Sequence, residues 1–563
     1  MKNDKDKRIW SVTDFVLIEA SLWIEDQSAK LNLAWLESSW QQARLFLKAL
    51  HAYWELRQVT QSKSVPGLRY DFFHDLIVRH NDQTIPAYLW FDQDSWRSWT
   101  YAELAKVVNG LAASWESMGV QSGDKLTILH QEGPFLLTAF LAGLRLGLVV
   151  SLLPPQGNAF VQRRLKNLEP KWLAIDHLYR HQLGLAWQSK VLPNNISSLP
   201  PERPSHDYLA TDVVVQCIDP ISPFPELIYS VNADTLYLGA IRDSVLALGI
   251  KPGQKCAAPG WYSLESQPSM LMAVLMSGAT WVHIDLADIE NDSARLLEQS
   301  IDILGISRSL RDVLRRHPPV GEKNWLYWFR HPAESADFVI WQEFVQLLQL
   351  ENCYSGNLLF NTARGGALLF SVRCRGRTHN IVLPAAGISW QLSVINSSDI
   401  PCLGGFGQFA LGKVKEDAVV WTGTPYILIP YQNVWHYLGH YPRFRSGRTY
   451  PRLEVLDLLK NKVRYMAMVN AFLGTGELDQ IEVLLVFSKD ADASALHQYI
   501  ADELGDEFLP DRIECLQLMP KLNEGGGVDQ KWCQSHYLTG ELYRRQRCEI
   551  HRRFSELKQR ILA

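Results

Sequence analysis

From about residue 68 to residue 430, helical and strand periods alternate, and this alternation most limits the folds open to the chain. Residues 101–119 place apolar side chains at helical spacing, Lys125–Leu129 reads as a short strand, residues 135–146 as a helix and 148–153 as a buried strand. Residues 162–168 are helical again and Trp172–Ile175 extended. Parallel strands need long crossovers, which helices usually supply, so the pattern predicts an α/β fold with largely parallel sheets. Residues 187–225 are rich in Pro, Ser and Asn and are expected to form a loop region.

Near residue 440 the pattern changes. Residues 453–462 read as a helix, 465–471 and 482–488 as strands, 493–504 as a helix and 513–518 as a strand, a small α+β unit. After Trp532 the chain is helical and basic, with seven Lys/Arg against three Glu from Glu541 to Ala563, a net +4. Ile550, Phe554, Leu557 and Ile561 form its apolar stripe. Such a helix packs on its domain, docks an acidic partner or lies on anionic lipid. At the other end, residues 1–64 also read as helical. Leu33, Leu36, Trp40, Ala43, Leu47, Leu50 and Trp54 recur at steps of 3 and 4, a heptad-like stripe. The stripe either packs on the chain's own core or presents Leu36, Trp40, Leu47 and Trp54 to a protein partner or a second copy. Val65, Pro66 and Gly67 end it with turn chemistry. The expected division is a helical extension over 1–64, a large domain over 65–440, a small α+β domain over 441–531 and a basic helical tail over 532–563.

Composition narrows the function classes. A chain of 563 residues is long enough for more than one core, and a net charge of −4 makes no global field toward nucleic acid or membrane. Residues 1–15 hold no apolar targeting stretch, and the longest apolar run, 135–155, is broken by Arg145 and two glycines. No transmembrane segment and a cytoplasmic location are expected. The eight cysteines are scattered, without C-x-x-C or zinc-site spacing, and are expected to be reduced and structural. Arg544 to Arg547 is too short a basic run for a nucleic-acid patch.

Residues 99–153 run WTYAELAKVVNGLAASWESMGVQSGDKLTILHQEGPFLLTAFLAGLRLGLVVSLL, with a T-Y-x-E-L helix, a G-x-x-x-G-D turn and a second helix ending in a small-residue strand. With residues 247–253 and 274–280, and with Leu509 to Arg512 before a last strand, this order of blocks resembles the adenylate-forming superfamily. That superfamily includes acyl-CoA synthetases, nonribosomal peptide synthetase adenylation domains and luciferases. The resemblance covers residues 68–531. It implies a large adenylation-type domain of packed α/β sheets, a small C-terminal α+β domain and helical extensions at both ends. Such blocks specify packing, so they argue architecture and not activity.

The motifs that carry the family's chemistry are altered. The resemblance places the phosphate loop, Y-T-S-G-T-T-G-x-P-K-G, near Tyr229. There the chain reads YSVNADTLYLG, and residues 191–250 contain no lysine. Aligned without gaps, Leu238 replaces the lysine, Asn232 and Thr235 replace glycines, and Asp234 adds a negative charge. A shortened loop, with Thr235 onward in the following helix, is the alternative. The magnesium-binding Y-G-x-T-E best matches residues 360–364, where Arg364 reverses the charge. The ribose-binding R-T-G-D matches residues 421–424, ending in Thr424. The hinge G-R-x-D becomes residues 439–442, ending in Pro442. The final N-G-K-V-D becomes residues 523–529, with Gly527 in the lysine's place. Five altered contacts to one nucleotide and its closure point to a degenerate, non-adenylating member that works by binding, with no cofactor. It would scaffold or assist a partner such as a carrier protein or biosynthetic enzyme in an acyl, fatty-acid-like or secondary-metabolite pathway. Two alternatives stay open: a ligase with a rebuilt ATP and magnesium site, and an acyl transferase in the old substrate cleft. The second would need a nucleophile and base from Cys256, Cys353, His283, His379 and His436, none of which sits in a nucleophile motif.

Overall fold

The computed structural model describes residues 9–25, 34–82, 84–218, 228–261, 266–332, 335–375, 379, 381–387, 390–395, 401–402, 408–415, 418–421, 426–431, 434–440, 444–445, 448–472 and 480–562. From 388 to 449 it describes backbone alone. The chain divides into two units: residues 1–155 with 165–441, and residues 156–164 with 442–563.

The first unit is built on three sheets. One of them is five-stranded: Lys125–Leu129 lies between Val149–Leu153 and Trp172–Ile175, all parallel, with Val213–Ile218 parallel on the far side and Ile228–Asn232 antiparallel at the edge. A second has nine strands among the described residues. Its centre is parallel, running Tyr354–Asn357, Tyr327–Arg330, Ile303–Gly305, Lys255–Ala257, Thr280–His283 and Pro86–Asp92. The third, within residues 359–440, is antiparallel.

Local chemistry explains the crossovers. Thr100 and Glu103 form a reciprocal capping box that starts the helix Tyr101–Ser117. Pro134 occupies the first turn of Pro134–Leu146, and Gly147 ends that helix at φ +81°. The strand Val213–Ile218 corrects the expectation that 187–225 is loop throughout. The β-branched triplet Val213 to Val215 outweighs the turn residues around it.

The N-terminal residues are part of this unit's core rather than a separate extension. They form helices Val12–Ser21, Ala34–Gln41 and Ala43–Glu55. Leu36 and Trp54 are buried, and Trp40 and Leu47 pack partly buried against the same cluster. The Trp40 indole donates to the Ala385 carbonyl at 2.9 Å, and the Gly387 amide donates to Ser39 Oγ at 3.1 Å. The expected partner surface of Leu36, Trp40, Leu47 and Trp54 is therefore corrected: Leu36 and Trp54 are buried, and Trp40 and Leu47 are half-buried against the same core. Leu33 lies outside the described residues.

In the second unit, Met466–Phe472, Gln480–Val486 and Arg512–Cys515 form a sheet. Helices Arg452–Leu459, Ala493–Leu504 and Gln530–Leu538 accompany it. Its core includes Val469, Val483, Leu485, Cys533, Tyr537 and Leu542. The basic tail therefore begins inside this core and leaves it only after Leu542. Among the described residues no helix is long and apolar enough to cross a membrane.

Candidate functional site

The strand Ile228–Asn232 passes directly into the helix Ala233–Arg242, with no loop residues between them. The shortened alignment is thus the one the structure adopts. The gapless reading of Asn232, Asp234, Thr235 and Leu238 as phosphate-loop positions is corrected. Asn232 is the helix cap, and its Oδ1 accepts the Thr235 amide at 2.9 Å. The Ala233 amide donates to the Asp212 carbonyl at 2.9 Å, and the Asp234 amide to the Ala210 carbonyl at 3.2 Å. A helix N-terminus binds phosphate through such amides. Here the first three are taken by the chain itself. Leu238 is buried inside the helix packing. Asp234 accepts a hydrogen bond from the Tyr70 hydroxyl, which in turn accepts the Gly67 amide at 2.7 Å. Burial, then the bond to Asp234, pushes the Tyr70 phenol well up, so it stays a donor.

A second wall comes from the turn Thr362–Arg364, which leads into Gly365. The Arg364 guanidinium lies 4.6 Å from the centroid of the Tyr229 ring. A Cβ on Gly239 would meet the Gly365 carbonyl oxygen at 2.3 Å, so helix and turn touch backbone to backbone. A buried pair fixes this contact. Arg242 Nε reaches Asp243 Oδ1 at 2.7 Å, and Arg242 Nη2 donates to the Gly365 and Ala367 carbonyls at 3.1 and 3.2 Å. Asp243 Oδ2 accepts the Ala367 amide at 2.8 Å. The third wall is the helix Ala43–Glu55, which contributes Ala43, Arg44 and Leu47.

The result is a cleft of about 520 Å³ that gathers Asn232, Asp234, Thr235, Leu238 and Arg364. The residues present do not fit magnesium-bound ATP. Arg44 and Arg364 supply positive charge, but the amide cradle is spent. Arg364 lines the cleft where the resemblance expects a metal-binding carboxylate, and Asp234 is held by Tyr70. Thr424 and Pro442 lie outside the described residues. Gly527 belongs to the second unit, in a turn where its amide donates to Asn523 Oδ1 at 2.9 Å and its carbonyl accepts the Asn523 amide at 2.8 Å. Sequence reasoning missed Arg44, Tyr70 and Arg242. For Arg242 a signal existed: an Arg-Asp pair inside the apolar run LYLGAIRDSVLALG marks a buried ion pair.

Among the described side chains, no contact joins Cys256, Cys353 and His283. Cys256 and Cys353 are buried, and burial pushes both thiols up, away from thiolate chemistry. Burial holds His283 below the ordinary imidazole range, against the pull of Asp285 at 3.6 Å. His379 accepts the Ile381 amide on Nδ1 at 3.2 Å, and the His436 side chain lies outside the described residues. Near His283, burial and then Asp285 push Glu132 up to about 8. A carboxyl raised in the folded state stabilises the fold below its unfolded pKa, and that contribution is lost as pH rises. The parent is therefore expected to lose roughly 1–3 kcal/mol between about pH 5 and pH 8, and Glu132→Gln to remove that loss. Melting curves across this range check it; parallel curves for parent and variant would contradict it.

The pattern of the AMP-binding enzyme family matches residues 77–216. No curated protein sequence matches the chain. Solved structures share its fold. An acetoacetyl-CoA synthetase from Streptomyces lividans superposes with a TM-score of 0.60 at 14% identity, covering 92% of each chain. The o-succinylbenzoate CoA synthetase of Bacillus subtilis gives 0.60 at 13% identity, covering 83% of this chain and 98% of its own. An artificially fused adenylation-PCP di-domain from Klebsiella oxytoca gives 0.58 at 15%, covering 79% of this chain and 85% of its own. The chain is thus similar to the AMP-binding enzyme family over residues 77–216 and shares the fold of these synthetases and of the adenylation-PCP di-domain over most of its length.

Proposed function

We propose that this chain is a non-adenylating form of the fold that acts by binding, as a scaffold or accessory protein in a pathway that handles activated acyl groups. One observation carries this. The first three amides of the helix Ala233–Arg242, the groups that would cradle phosphate, are each bonded to the chain's own oxygens. Arg364 and Gly527 support it, since each stands where the resemblance expects a metal or charge contact. One fold neighbour is an adenylation domain fused to a PCP, which supports a carrier protein as the partner class. No cofactor is assigned. ATP–pyrophosphate exchange over a panel of carboxylic acids is expected to stay at background. ATP with magnesium at about 1 mM is expected to leave the melting temperature unmoved. Acid-dependent exchange would instead favour a ligase with a rebuilt site.

A further inference from the structure

The tail helix, Glu541–Leu562, has no further buried side chain after Leu542 among its described residues. Its first turns pack through Leu542 and through Tyr543 against Tyr537 and Glu514, but the stretch beyond them is marginal in water, and paired charges sustain it only in part. Glu549 bonds Arg552 and Arg553, and Glu556 bonds Arg552 at 2.7 Å. Its exposed apolar residues are not scattered. Tyr543, Ile550, Phe554, Leu557 and Ile561, with Arg547 between the first two, follow one another at steps of 4 and 3, a single seam whose first half lines a groove with Glu514, Cys515 and Leu516 and whose second half faces outward. Phe554, Leu557 and Ile561 are 72%, 55% and 74% exposed.

The residues beside that seam decide what covers it. On one side lie Arg544, His551 and Lys558; on the other lie Gln546, Arg553 and Arg560. No acidic residue of the helix flanks the seam, its three glutamates sit behind it, and Glu514 of the strand Arg512–Cys515 meets it only at Tyr543, from whose hydroxyl it accepts a hydrogen bond. A second copy of this helix would set basic against basic across the seam, parallel or antiparallel. An anionic bilayer calls for a broad apolar face, whereas this stripe is a narrow a/d seam. We infer that the tail helix is a docking surface for an acidic amphipathic helix of another protein, with apolar residues meeting Ile550, Phe554, Leu557 and Ile561 and carboxylates meeting the basic flanks.

This deepens the binding role proposed above and rests on it, but its test is independent of nucleotide. The full chain is titrated with a fluorescent probe peptide of about four heptads, with Leu at the seam and Glu at both flanks. Saturable binding is expected, weakened about tenfold or more at ~0.5 M salt. Phe554→Glu with Leu557→Glu is expected to abolish it. Arg553→Glu, Lys558→Glu and Arg560→Glu together are expected to switch preference to a peptide with Lys flanks. None of these side chains is buried, so an unchanged melting temperature accompanies the loss. The inference is overturned by no binding, by equal binding of a scrambled peptide, by binding to phosphatidylglycerol vesicles in place of the peptide, or by dimerisation of the chain through this helix. Acid-dependent pyrophosphate exchange with peptide binding intact would sink the non-adenylating role and leave the docking surface standing.

Discussion

Asp243→Ala is expected to destabilise the larger unit by about 3–5 kcal/mol, the range for removing one partner of a buried ion pair. Both side chains are almost wholly enclosed, Arg242 at 3% and Asp243 at 1% exposure. Burial pushes the Asp243 carboxyl up, and Arg242 opposes this. The substitution leaves the guanidinium without its counter-charge and the Ala367 amide without its acceptor. The damage falls at the junction of the helix Ala233–Arg242 with the Gly365–Ala367 backbone. Urea unfolding followed by tryptophan fluorescence measures it. A double variant, Arg242→Met with Asp243→Leu, removes both charges and is expected to cost much less than the single change. A single variant within about 1 kcal/mol of the parent would contradict the pairing.

Phe46→Ala is expected to cost about 3–5 kcal/mol as a large-to-small change in a packed core. Phe46 is fully buried, and its ring lies 4.9 Å from Trp10, 5.4 Å from Phe15 and 6.3 Å from Trp35. Chemical denaturation of the variant checks the value; a loss below about 1 kcal/mol would mean that the N-terminal helices are loosely held. The same packing says that cutting away residues 1–64 removes Leu50 and Trp54 from the core, uncovers Arg79 and Tyr237, which pack against Trp54 and His51, and takes Arg44 out of the cleft. Such a truncation is expected to aggregate, so lost partner binding in it would report unfolding.

Much of the architecture was legible because it lies in local periodicity. Lys125–Leu129, Trp172–Ile175 and Ala493–Leu504 stand where their patterns place them. The N-terminal stripe showed that an apolar face exists, but periodicity does not say what covers it. Only the fold reveals that Leu36 and Trp54 meet the chain's own core. The absence of a lysine and a glycine cluster near Tyr229 was plain in the sequence. That the carbonyls of Ala210 and Asp212 take up the Asp234 and Ala233 amides was not, since those groups come from the approach to a neighbouring strand, whereas Asn232 caps its own helix. Arg44 reaches the same cleft from far away in the chain, a juxtaposition no local pattern encodes.

Loss of carboxylate activation is read out by acid-dependent ATP–pyrophosphate exchange. The full chain is run with magnesium and a panel of fatty, aromatic and amino acids beside an active acyl-CoA synthetase. Exchange indistinguishable from the no-enzyme blank for every acid is the predicted result. Reproducible exchange that requires one acid, survives repurification and disappears on Arg364→Ala would contradict it, because it would make the cleft of Asn232, Asp234, Thr235, Leu238 and Arg364 a working nucleotide site.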